Sequence, residues 1–143
     1  MDDRFLLTRF RTAQDEGGTY NRALAELRAG KKRSHWMWFV FPQIAGLGRS
    51  AMAERYAIGS LAEAEEYARD PVLGARLREC ARALLADGGG DAVAILGPVD
   101  ALKLRSSMTL FAAAAPDEQL FGEVLERFFG GEADEATLEL LRS

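Results

Sequence analysis

Apolar residues recur at helical intervals through most of the chain. Phe5, Leu6, Phe10 and Ala13 follow one helical face, and Tyr20, Ala23, Leu24 and Leu27 follow another. Gly17-Gly18 separates the two sets, and Gly30 stands just past the second, where helices commonly stop. The pattern predicts an opening αα-hairpin. Ser60 and Glu63 have the spacing of a capping box, and Asp70-Pro71 places an N-cap residue before a proline suited to the first helical position. From there Leu73, Leu77, Cys80, Ala81, Leu84 and Leu85 form a long apolar stripe that runs to Gly88-Gly89-Gly90. Asp100 is placed to cap a further helix reaching Ala115. Pro116-Asp117 opens another, with Leu120, Phe121, Val124, Leu125, Phe128 and Phe129 recurring until Gly130-Gly131. Asp134 then begins a terminal helix carrying Leu138 and Leu141. Val93 to Leu96 fits a helix end or a buried extended piece equally, because so short an apolar run carries no period.

No alternation of strands with helices and no internal repeat interrupts this series, so the expected fold is mainly α. The reading is a single compact multi-helix domain over residues 1–143, one layer of helices wrapped on another, with a short extended aromatic segment. That segment is Ser34 to Gln43. Four aromatic residues, including both tryptophans, crowd the six positions from Trp36 to Phe41, so neither face is polar and burial on more than one side is expected. Pro42 biases Phe41 toward extended geometry.

Composition narrows the class. A chain of 143 residues, 48% hydrophobic and 28% charged, suits one globular domain with a core of its own. The single cysteine, Cys80, excludes an internal disulfide and a cysteine-built zinc site, and its place on the apolar stripe makes it a core residue. No run is apolar enough to span a membrane, and charges within Met1 to Arg11 break the pattern of a signal peptide, so a cytoplasmic protein without membrane contact is expected. A net charge of −4 argues against general nucleic-acid binding. The charge is uneven, however. Arg28 to Arg55 holds Arg28, Lys31, Lys32, Arg33, Arg49 and Arg55 against the single acid Glu54, whereas Pro116 to Ser143 is strongly acidic. Anionic partners are expected at the first of these segments.

Two groups of polar residues offer chemistry. His35 is the only histidine, hence the only side-chain type that ordinarily titrates near neutrality, and it comes directly after the Lys31-Lys32-Arg33 cluster and Ser34. The indoles of Trp36 and Trp38 beside it suit stacking of a base or sugar, with Arg33 holding an anion and Gln43 orienting the ligand. In the second group Asp100, Lys103 and Ser107 fall at i, i+3 and i+7 on one helical face, with Ser106 and Thr109 nearby. Two accounts stand side by side. In the first, His35, Lys103 and Ser107 are catalytic and Arg33, Trp36, Trp38, Gln43 and Ser106 bind a small anionic or nucleotide-like ligand. In the second, the aromatic segment is a core brace, the serines bond back to helix carbonyls, and the protein is a non-catalytic interaction module. Neither account calls for a metal or a cofactor, and no Walker loop, dinucleotide fingerprint or serine elbow occurs.

The string Lys32 to Gln43 (KRSHWMWFVFPQ), with Gly46-Leu-Gly48, Tyr56-Ala-Ile58, Pro71, Leu73-Gly74 and Ser106-Ser-Met-Thr-Leu-Phe111, resembles the domain of unknown function 1810 family over nearly the whole chain. The resemblance implies a mainly helical single domain and supplies no reaction. Some members carry the label calpastatin, an inhibitor that is long, disordered and repetitive, unlike this apolar-rich sequence. A looser similarity, in the arrangement of aromatics and a late lysine-bearing helix, links the chain to the NADAR group of ADP-ribose-related N-glycosidases, with no residue carried over.

Overall fold

The computed structural model describes residues 3–87 and 90–142. The opening hairpin consists of α1 (Thr8–Asp15) and α2 (Thr19–Arg28), joined by a 3-10 turn. Gly17 and Gly18 both take positive φ in that turn (63° and 69°), which L side chains adopt only at a cost. The first helix begins later than the apolar spacing predicts. Leu6 sits in a left-handed turn (φ 55°), 65% exposed, because Asp3 accepts the backbone N–H groups of Leu7 and Thr8 and starts the helix there.

Six further helices are short or of medium length: α3 (Met37–Val40), α4 (Ala51–Arg55), α5 (Leu61–Arg69), α6 (Leu73–Ala86), α7 (Ala92–Leu96) and α8 (Pro98–Ala114). Then come α9 (Leu120–Phe129) and α10 (Glu135–Arg142). Local capping sets several of these starts. Ser60 Oγ accepts from Glu63 N–H, while the Glu63 carboxylate returns to Gly59 N–H, one residue earlier than in a strict capping box. Asp70 accepts from Val72 and Leu73, and Asp134 from Thr137. The run Val93 to Leu96 is helical, started by Asp91, whose carboxylate accepts from Ala94 N–H. The stripe of α6 ends at Ala86, and the Gly88 and Gly89 stop signals lie outside the described residues.

The aromatic segment combines two geometries. Its centre, α3, is one helical turn, and extended backbone begins only beyond Phe41, where Ile44 bridges Ile58 in the one β-contact among the described residues. Pro42 explains the break, since it disfavours helix at the residue before it.

Helix α8 is the axis of the core. It packs against α5, α7, α9 and α10, and Ala101, Leu104, Met108, Leu110 and Phe111 are buried around it. A column of rings crosses the elements: Phe39–Tyr56 (centroids 5.3 Å apart), Tyr56–Phe10 (5.9 Å), Phe10–Tyr67 (5.1 Å), Tyr67–Phe111 (5.3 Å) and Phe111–Phe121 (5.9 Å). Beside the column lies buried Gln14. Its amide donates to Phe39 O (2.7 Å) and Tyr67 Oη (3.2 Å) and its carbonyl accepts from Arg76 (3.2 Å), so one side chain of α1 fastens α3 to α5 and α6.

Replacing this amide removes the short bond to the buried Phe39 carbonyl and leaves it only the longer one from Tyr67 Oη (3.5 Å). Gln14→Leu is therefore expected to destabilise the fold by about 1–3 kcal/mol, read as a lower urea midpoint at unchanged slope. An unaltered midpoint would show that the network contributes nothing.

Candidate functional site

The site begins at the end of α2. Gly30 takes φ 75°, Gly30 N–H bonds Leu27 O (3.1 Å) and Lys31 N–H bonds Glu26 O (3.0 Å), the paired bonds of a Schellman ending. The chain leaves the helix reversed, and Lys32 N–H then reaches Ile95 O (2.8 Å) on α7. Residues 33–36 close around one carboxylate. Glu26 accepts from Arg33 N–H (2.8 Å), Ser34 N–H (3.1 Å), the Ser34 hydroxyl and Trp36 Nε1–H (2.9 Å). Partial burial raises the pKa of Glu26, but the Ser34 hydroxyl, Arg33 N–H and the indole together outweigh it and hold the group at about 2.

A second carboxylate, Asp100, joins this segment to α8. Lys32 Nζ lies 2.9 Å from one of its oxygens and Lys103 Nζ 3.2 Å from the other. Each ammonium also faces an indole, Lys32 over Trp36 at 5.2 Å and Lys103 over Trp38 at 4.9 Å. Asp100 is thus not the helix cap that its spacing suggests. Pro98 takes the first position of α8 after Gly97 (φ 90°), which leaves Asp100 inside the first turn, where the helix dipole favours a negative charge.

The other predicted residues are dispersed. Trp38 is half-buried and meets Lys103, whereas Trp36 is fully buried, its indole N–H committed to Glu26, so its ring belongs to the core. His35 is exposed, as are Lys31 and Arg33, and Arg33 contributes its backbone N–H to the loop. Ser107 shares the face of Asp100 and Lys103 but is sealed from solvent, and among the described residues its hydroxyl has no hydrogen-bond partner. Ser106 and Thr109 turn to another face. Ser106 Oγ donates to Leu102 O (3.2 Å) and Asp134 (3.2 Å), and Thr109 Oγ1 donates to Arg105 O and accepts Asp134 N–H, so both serve the start of α10. Gln43 lines a separate hollow of about 290 Å³ with Gly46, Arg49 and Glu54.

A larger hollow of about 640 Å³ lies across α1 and α5, far in sequence from the lysines and indoles. Its arginines are already neutralised, Arg11 by Asp70 (2.8 Å) and Arg69 by Glu66 (3.5 Å), which leaves little for an anion to gain. Two residues central to the loop, Glu26 and Lys32, are absent from the sequence-predicted set. The local signal for Glu26 is its position in the last turn of α2, where the dipole disfavours a carboxylate and a compensating partner is needed. Among the described residues no three or more His, Cys, Asp or Glu side chains gather to hold a metal ion, and no helix is long and apolar enough to cross a membrane.

These features define an all-α protein whose candidate site is a lysine-tryptophan corner between the segment after α2 and the first turns of α8. The chain belongs to the family described as Protein of unknown function (DUF1810), which matches residues 4–141. Among solved structures it is similar to the crystal structure of the conserved hypothetical protein Rv1873 from Mycobacterium tuberculosis. The two are 48% identical, each is covered over 99% of its length, and the TM-score is 0.95. No curated protein matches the chain.

The geometry has two measurable consequences. The carboxylate of Glu26 is more acidic in the folded chain than its ordinary value of 4.5, so its stabilisation is complete above that pH and is lost as pH falls toward about 2. The melting temperatures of wild type and Glu26→Gln should accordingly converge through this window, and a constant gap would contradict the assignment. Separately, Trp36→Ala is expected to cost about 3–5 kcal/mol in chemical denaturation, and Trp38→Ala distinctly less because that ring is only half-buried.

Proposed function

We propose that the protein binds a small anionic, ring-bearing metabolite of nucleotide-like or phosphorylated type at the corner where Lys103 covers Trp38. The observation that carries this reading is the sharing of Asp100. Two ammonium groups depend on a single carboxylate, and the excess positive charge stands beside an indole that keeps part of its surface exposed. An ammonium has three donors, so each lysine retains N–H groups after meeting Asp100. In this reading Lys103 and Arg33 hold the anionic group, Trp38 takes the ring, and His35 is the proton donor or acceptor if the protein is an enzyme. Gln43 and Ser106 take no part, because their side chains lie on other surfaces. Ser107 contributes from beneath Lys103 only if that lysine moves.

A second reading rests on a different observation. Helices α7 and α8 pack together and leave Val93, Val99 and Leu102 exposed at 53%, 65% and 64%. Such apolar surface suits a protein contact, and in that case the aromatic segment is a brace.

Intrinsic fluorescence separates the two, because both tryptophans of the chain lie at the corner. Titration with adenosine, AMP, ADP-ribose and glucose 6-phosphate should quench or shift emission for phosphorylated, ring-bearing members and not for adenosine. Lys103→Gln should weaken the response about ten- to hundredfold, as expected for losing a charged hydrogen bond. No response across the panel in the millimolar range favours the interaction module instead.

A further inference from the structure

We infer that Glu26 is the positioning residue of this corner: its carboxylate sets the shape of residues 33–36 and thereby the directions in which Arg33 and His35 are presented to an anion. The inference rests on the anion-binding reading above and deepens it by naming the group that organises the loop.

Four donors from three residues converge on Glu26, two of them the successive backbone N–H groups of Arg33 and Ser34 and a third the indole of Trp36. With those atoms turned inward on both sides of His35, the imidazole is carried outward, and His35 is indeed exposed. The Arg33 side chain is exposed as well, and neither it nor His35 has an acidic partner among the described residues. Glu26 therefore turns its oxygens to backbone, hydroxyl and indole donors and makes no ion pair with the flanking Arg33 side chain. A carboxylate in the last turn of a helix is unfavourable by itself, since it faces the negative end of the helix dipole. Charge-assisted hydrogen bonds offset that penalty, and they are the stronger kind. The Schellman ending at Gly30 brings the loop back over Glu26, and the Lys32–Asp100 pair fixes its far side on α8. The segment is thus held at several points, and Glu26 is the group that binds the backbone N–H groups of both Arg33 and Ser34.

Alanine and glutamine at this position behave differently under a positioning role. Glutamine keeps a carbonyl oxygen for Arg33, Ser34 and Trp36 and can donate its amide N–H to the Ser34 hydroxyl, whereas alanine keeps nothing. The experiment uses the ¹⁵N-labelled full chain with inorganic phosphate as probe. Amide exchange is followed at Arg33, Ser34 and the Trp36 indole, and phosphate binding at the resonances of His35 and the Trp38 indole. Glu26→Ala is expected to release the three loop protons selectively and to weaken phosphate about tenfold or more, with Glu26→Gln recovering most of both. Ser34→Ala, which removes one donor and leaves the carboxylate in place, should give a partial version of the same effect and carries the test if Glu26→Ala does not fold. Undiminished phosphate affinity in Glu26→Ala, or in Ser34→Ala with its loop protons released, overturns the positioning role. So does equal loss in Glu26→Ala and Glu26→Gln, or faster exchange throughout α8. A wild-type chain in which phosphate moves neither resonance overturns the anion site itself, and Glu26 is then a brace of the loop and no more.

Discussion

The ion pair between Lys32 and Asp100 is the constraint on which the corner depends. Both groups are largely withdrawn from water, and a lone charge there would be costly, so each holds the other in place. The pair ties the segment after α2 to the first turn of α8, two stretches distant in sequence, and brings Trp38 under Lys103. Asp100 gains further from its place at the positive end of α8, which reduces the penalty of burying a carboxylate. The same carboxylate that neutralises Lys32 partly neutralises Lys103, and the arrangement keeps an excess of positive charge.

Among the described residues, Ser107 Oγ is the one buried side-chain oxygen or nitrogen without a hydrogen-bond partner. Gln14 satisfies the Phe39 carbonyl under α3, Glu26 satisfies the loop above it, and Arg9 donates to four backbone carbonyls, those of Phe5, Leu6, Arg55 and Ala57, while pairing with buried Glu63. Each is a side chain of the opening hairpin that meets backbone groups in connections or at the ends of short helices. In an all-helical chain with short helices and long connections, backbone in the connections and at helix ends needs such partners, and these three supply some of them. Burial also quiets the remaining reactive groups. The Cys80 thiol is pushed up to about 12 by desolvation, so the chain's one cysteine stays protonated in the core, as its place on the apolar stripe implies.

The fold was legible in the sequence wherever the signal was local. Apolar stripes marked α2, α6 and α9, and Ser60, Asp70 and Asp134 stood at caps because capping involves atoms only two or three residues apart. The common face of Asp100, Lys103 and Ser107 was legible for the same reason, since helical spacing fixes it. Partner choice was not. Nothing in the spacing distinguishes Lys32 from Lys31 as the mate of Asp100, or shows that Ser106 turns to Asp134 while Ser107 meets no partner among the described residues. The two indoles are the sharpest case. They lie two residues apart in one short segment, yet a single helical turn sends Trp36 into the core and Trp38 to the margin, a difference that comes from what packs against each.

Under the proposed reading, this division of the indoles also bears on how an acidic protein would present an anion site. Net charge acts at long range and is screened within roughly 10 Å at ordinary ionic strength. Around the corner stand Lys32, Lys103 and the loop that carries Arg33 and His35, against the carboxylates of Asp100 and Glu26 and that of Asp87 beside Gly30. The acids of the stretch from Pro116 to Ser143 weigh on the net charge more than on this local field. In that reading the partly exposed indole of Trp38 in such a field would favour a ligand that is both charged and flat, whereas either property alone could be met at many points on the surface. Specificity would then lie in the combination, which the sharing of Asp100 between Lys32 and Lys103 brings together.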